Sequence, residues 1–149
     1  MTPPRLTADA RREQILEVAI RVFGRAGYHG ASMNDIAEAA GVTKPVLYQH
    51  FDSKSDLYGA LLDEVGSRLL SAITKATADA ADGREQTARG FQAYFRWVAH
   101  RHDEFMLLFG GSARHDGEFS SQIRRITDDA AAAIAPLIAV DIDPEQRQT

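Results

Sequence analysis

The chain has 149 residues, of which 44% are hydrophobic and 26% charged, with a net charge of −4 and no cysteine. That is enough for one domain, or a small head on a body, and it excludes a disulfide framework, a thiolate metal site and a Cys nucleophile. The opening Met-Thr-Pro-Pro-Arg-Leu lacks the apolar run of a signal peptide, and no segment approaches the ~18 consecutive apolar residues of a membrane helix, so a cytoplasmic protein off the membrane is expected.

Apolar residues recur at helical spacing nearly throughout, and no alternating strand pattern persists, so the fold is expected to be all-α. Thr7 caps a first helix whose inner face is Ile15, Leu16, Ala19, Ile20 and Phe23, and Gly27 ends it. Ser32 opens a second helix with Asp35 three positions on, an acidic form of the capping box. Ile36, Ala37 and Ala40 face inward and Gly41 makes the turn. Thr43 caps a third helix, with Pro45 in its first turn and Leu47 and Phe51 as its buried face. Asp52 or Ser53 caps a long fourth helix with Leu57, Leu61, Leu62, Val65, Leu69, Leu70 and Ile73 along its apolar side.

Asp82-Gly83 breaks the chain before a fifth helix, about residues 84–101, carrying Phe91, Tyr94, Phe95, Trp97 and Val98. A short apolar piece, residues 105–109, ends at Gly110. A polar loop with an exposed His115-Asp116 precedes a last helix over about 119–140, with Phe119, Ile123, Ile126, Ala130, Ala133, Ile134 and Leu137 on one side and Pro136 in its final turns.

Residues 32–51 read as two short helices joined at Gly41, a helix-turn-helix, whose second helix can enter the DNA major groove. Residues 1–52 carry six Lys/Arg and six Asp/Glu, residues 53–149 eleven against fifteen. A neutral head with a few placed cations suits site-specific duplex binding rather than a nonspecific coat. With Leu47 and Phe51 buried, the third helix offers Thr43, Lys44, Tyr48, Gln49 and His50. Lys44 can donate to guanine or to phosphate, and Thr43 serves as cap or phosphate donor. Tyr48 can lie along the backbone with its hydroxyl on phosphate. Gln49 reads adenine or faces solvent, and His50 meets phosphate or a bond within the head. Ser32 and Lys54, at the starts of the second and fourth helices, are further phosphate candidates.

Residues 7 to about 62 resemble the N-terminal domain of TetR-family transcriptional regulators. The resemblance rests on Phe23 followed by Gly27-Tyr28, on Asp35-Ile36-Ala37 with Ala40-Gly41-Val42, on Leu47-Tyr48-Gln49-His50-Phe51, and on Ser53-Lys54 with Leu57. It implies a three-helix head, residues 1–52, joined to a helical ligand-binding and dimerisation body, residues 53–149. It also implies a sequence-specific regulator, most simply a ligand-responsive repressor, that binds a palindromic operator as a homodimer. Two positions depart from the family pattern. Pro45 stands where Gly or another small residue is common, removing one amide from the phosphate contacts, and Ala31-Ser32 replaces a Thr pair. The family's dimerisation helices follow the helix that ends near Val140, and the chain stops where the next would begin.

The family also suggests a small-molecule inducer in the body. Phe91, Tyr94, Trp97, Phe105 and Phe109 are the candidate lining, with Trp97 set off the Phe91–Phe95–Val98 stripe and therefore favoured for the pocket over the core. An apolar or aromatic compound would suit such walls. His100 and His102 are two apart, which on one helix would turn them to opposite sides. No metal site, cofactor or catalytic constellation is expected. The alternatives are a regulator governed by a protein partner or by no ligand, and an interaction module that no longer binds DNA.

Overall fold

The computed structural model describes residues 6–110 and 117–140, the last seven of these by backbone alone. His115, Asp116 and the side chains of Ile134, Pro136 and Leu137 therefore lie outside the described residues, as does everything beyond Val140. Among the described residues there are seven helices and no strand: α1 (Ala8–Gly30), α2 (Met33–Ala40), α3 (Lys44–His50), α4 (Lys54–Thr77), α5 (Gly83–His100), α6 (His102–Phe109) and α7 (Gly117–Val140).

Local chemistry sets most of the boundaries. Thr7, Ser32, Thr43, Ser53 and Asp82 each accept a hydrogen bond from the backbone N–H three residues on, satisfying a donor that the first helical turn leaves orphaned. Gly27 has φ 77° and ψ 168°, so α1 breaks there as expected, but a final turn follows and drives Tyr28 into the core. The Tyr28 ring lies 5.0 Å from both Tyr58 of α4 and Phe119 of α7. Phe23 meets Tyr58 edge-on at 5.0 Å. This aromatic knot fastens three helices at one point.

Helix α4 is the spine, packing against α1, α5, α6 and α7. Its Leu57, Leu61, Leu62, Val65, Leu69 and Ile73 are at most 2% exposed, whereas Leu70, expected on the same face, is 37% exposed. The Tyr58 hydroxyl donates to the Leu107 carbonyl at 3.0 Å, tying α4 to α6. Gln122 Nε2 ties α7 to α4 through Gly59 O and Asp63 Oδ1, both at 2.8 Å.

Helix α5 reverses the sequence expectation. Its buried positions are Gly83, Gly90 and Trp97, seven residues apart each time, and two of the three stripe residues lie outside: Phe91 is 40% and Phe95 64% exposed, while Val98 stays half-buried against the core. Two of the three inward positions have no side chain, so a count of apolar residues points the helix the wrong way.

Candidate nucleic-acid interface

The turn between α2 and α3 is dictated by glycine geometry. Gly41 sits at φ 67°, ψ 30°, and its N–H bonds to Glu38 O while that of Val42 bonds to Ala37 O at 3.0 Å. These paired bonds form a Schellman closure, which satisfies the last carbonyls of α2 and needs a left-handed residue. A Cβ at Gly41 would meet no atom within 4 Å, so the backbone angle and not crowding demands glycine. At the other end of α2, Ser32 Oγ accepts from Asp35 N and Asp35 Oδ2 accepts from Ser32 N, both at 3.0 Å.

Helix α3 is held from beneath by Leu47, with no exposed area, and by Phe51, at 4%. The Arg12 guanidinium lies 4.6 Å from the Phe51 ring centroid, a cation–π contact that locks the end of α3 to α1. Gln14 of α1 donates to Ala40 O at 3.4 Å, so both helices of the motif rest on α1.

With the inner face so fixed, Thr43, Lys44, Pro45, Tyr48 and Gln49 are exposed, and Tyr48 keeps 45% of its surface open. Lys44 and Tyr48 are one turn apart, as are Pro45 and Gln49, so they form two adjacent rows on the outer side of α3. Thr43 Oγ1 accepts from Val46 N at 3.4 Å, a long capping bond. Pro45 falls in the first turn, where its missing N–H leaves no helical bond unmade. His50 is half-buried beside Phe51, their rings 6.5 Å apart, at the rear of the helix. Ser32 is exposed at the start of α2 and already engaged in its capping box.

Lys54 stands apart from the others. Its Nζ donates to Tyr28 O at 2.9 Å and Ala31 O at 3.2 Å, and lies 4.4 Å from the Tyr28 ring centroid. The ammonium is absorbed in closing the end of α1, not held out from the start of α4 toward a phosphate. Cations suit the C-terminal ends of helices, where carbonyls lack partners. Sequence reasoning missed this because the partners lie 23 and 26 residues away.

Of the five body aromatics, Tyr94, Trp97, Phe105 and Phe109 form a continuous run, with ring centroids 6.4, 6.3 and 4.9 Å apart in that order. They pack on one another, and Trp97, expected to stand off the core stripe, is the most buried residue of the set at 6% exposure. Phe91 lies outside this run, stacked at 6.5 Å on Phe95. His100 and His102 border one groove with Glu17, Arg21 and Asp103, because the chain breaks at Arg101 (φ −122°, ψ 54°) and single-helix spacing does not apply. Among the described residues no three His, Cys, Asp or Glu side chains converge as a metal site, and no helix is long and apolar enough to cross a membrane.

Comparison with known proteins agrees with this geometry. Residues 15–61 match the family model described as bacterial regulatory proteins, tetR family. Over 137 residues the chain is 36% identical to the HTH-type transcriptional activator FasR of Mycolicibacterium smegmatis, covering 92% of this chain and 63% of that protein. It is 28% identical over 134 residues to the HTH-type transcriptional repressor NicS of Pseudomonas putida, covering 88% and 63%. The chain thus spans less than two thirds of the length of these relatives. A TetR-like transcriptional regulator from Rhodococcus sp. RHA1 superposes with a TM-score of 0.80 at 27% identity, covering 97% of this chain and 78% of that one. The helix-turn-helix at residues 32–51 lies within residues 15–61, the segment that matches the tetR family of bacterial regulatory proteins.

Proposed function

We propose that the protein is a cytoplasmic, sequence-specific DNA-binding regulator of transcription and not an enzyme. The observation that carries the reading is the outer face of α3, where Lys44, Tyr48, Gln49 and Thr43 stand exposed on a helix clamped from behind by Leu47, Phe51 and Arg12. Lys44 supplies a cation and base-edge donor, Tyr48 a phosphate donor, and Gln49 a bidentate partner for adenine, each base contact being worth ~1–3 kcal/mol of discrimination. Residues 1–52 act as the head and residues 53–149 as the body. One short helix reads few base pairs, so the acting species is a homodimer on a palindrome, with recognition helices ~34 Å apart or a multiple of that.

Repression is the simplest sign, since occupying an operator requires no further surface. The named relatives include both an activator and a repressor. A small-molecule inducer bound in the body would act through α4, which packs against both α1 and α5. The test is selection from random duplex DNA, with Lys44→Ala and Tyr48→Ala in parallel and the mass in solution measured. A palindromic site lost in both variants supports the reading. The absence of any enriched sequence would overturn it.

A further inference from the structure

A groove of about 510 Å³ runs along the outside of the α4–α5 pair. Its floor is apolar, made by Ala72 and Ala76 of α4 with Ala93 of α5, and the largely buried Trp97 reaches its lining. Its rim is cationic. Lys75 comes from α4, Arg96 and His100 from α5, and Arg101 from the α5–α6 junction, while no carboxylate lines the groove. All four rim residues are exposed, and none makes an ion pair or side-chain hydrogen bond among the described residues.

This is the opposite of the surrounding charge. Residues 53–149 hold fifteen acidic against eleven basic side chains, and the chain as a whole is −4. An acidic surface could have paired three permanent cations, yet Lys75, Arg96 and Arg101 converge unpaired on one cleft. Like charges held together repel, and a bound anion relieves that repulsion. The apolar floor adds a second requirement, because water gains little by wetting alanine surface that a hydrocarbon could cover. The volume falls in the ordinary range for small-molecule sites.

We infer that this groove binds an amphipathic organic anion, its carboxylate or phosphate held by Arg96, Arg101 and Lys75 and its apolar portion laid along Ala72, Ala76, Ala93 and Trp97. The site shares Trp97 with the aromatic run of the body but is otherwise lined by different residues, and it stands whether or not α3 binds DNA.

Trp97 is the chain's one tryptophan, so its emission reports on the groove directly. The experiment titrates the intact protein, without DNA, with octyl phosphate, octanoate, octanol and inorganic phosphate below micelle-forming concentrations, following Trp97 fluorescence and heat. The expected result is saturable binding of octyl phosphate, octanoate or both, at least tenfold tighter than octanol or inorganic phosphate. The ranking of the two anions tells phosphate from carboxylate ligands. The double variant Arg96→Glu with Arg101→Glu should weaken binding at least tenfold with its melting temperature retained, while Phe95→Ser, outside the groove, should bind as the parent does. Equal affinity for octanol would overturn the role of the rim. Equal affinity for inorganic phosphate would overturn that of the floor. Undiminished binding by the double variant, or no binding of either anion, would overturn the site.

Discussion

Trp97 Nε1 donates to Glu104 Oε2 at 3.0 Å, and the other oxygen of that carboxylate accepts from Arg68 Nη1 at 3.1 Å. Glu104 is 5% exposed, the one buried charged residue among the described residues. Arg68 also donates from Nε to Glu64 at 3.0 Å and, on its far side, to Glu17. Burial pushes the Arg68 guanidinium pKa down, but its hydrogen bonds to Glu17, Glu64 and Glu104 more than reverse this and hold it above its ordinary value. A single polar network therefore links α5, α6, α4 and α1.

Breaking that network should be costly, because a buried donor or charge left without its partner keeps its desolvation penalty. Glu104→Ala orphans the indole N–H and one arm of Arg68, and it should lower the unfolding free energy by about 2–3 kcal/mol. Urea denaturation followed by far-UV circular dichroism would measure this, and a double-mutant cycle with Arg68→Met should show coupling above about 0.5 kcal/mol. Additive effects would mean that the contacts are incidental.

Two glycines should respond differently to alanine. A Cβ at Gly24 would lie 2.7 Å from Asp103 Cβ and 2.8 Å from its Cα, so relief requires moving the backbone of α6. At Gly66 the nearest atoms are Ile126 Cγ2 at 2.8 Å and Cγ1 at 3.0 Å, which can turn about χ1. Alanine favours a helix over glycine by about 1 kcal/mol, and overpacking costs about 1–3 kcal/mol. Gly66→Ala should stay within about 1 kcal/mol of the parent and Gly24→Ala should lose more. Thermal melts showing the reverse order would contradict the packing of α1 on α6.

Tyr58 gives a pH dependence. Burial, then the nearby Tyr28, raises its hydroxyl pKa well above the ordinary value of 10. The folded state thus holds the proton more tightly than the unfolded chain does. That stabilisation is whole below pH 10 and is lost as the pH rises beyond it. Between pH 9 and 11 the parent should lose more stability than Tyr58→Phe, which itself starts lower by about 1 kcal/mol for the lost bond to Leu107 O. Parallel alkaline slopes would place the titrating group elsewhere.

The parts of the fold legible in the sequence were those fixed by neighbours. Gly41 announces its left-handed turn and Ser32 and Asp35 their reciprocal cap, because each depends on contacts within five residues, while Leu47 and Phe51 mark the inner face of α3 by their four-residue spacing. Helix α5 could not be oriented in this way. Its register is set by Gly83 and Gly90, which register weakly on any hydrophobic count, and its large aromatics Phe91 and Phe95 lie outside. The role of Lys54 was equally hidden, since the carbonyls of Tyr28 and Ala31 become its partners only when α1 and α4 meet.

Lys44 and Lys54 consequently separate binding from folding. Lys54→Met keeps the aliphatic stem but drops two charge-assisted hydrogen bonds, and it should cost about 1–3 kcal/mol of stability. Lys44→Ala, on the open face of α3, should change stability by less than about 0.5 kcal/mol. Similar melting curves for the two variants would contradict this division.

The most direct test of the central claim is the affinity of the protein for its selected duplex and for a scrambled one, measured by fluorescence anisotropy across a salt series, for the parent, Lys44→Ala and Tyr48→Ala. The parent should prefer the selected duplex, with affinity falling as salt rises, and each variant should lose tenfold or more while melting as the parent does. Equal binding to both duplexes, or unchanged affinity in both variants, would contradict the assignment of the outer face of α3 as the surface that reads DNA.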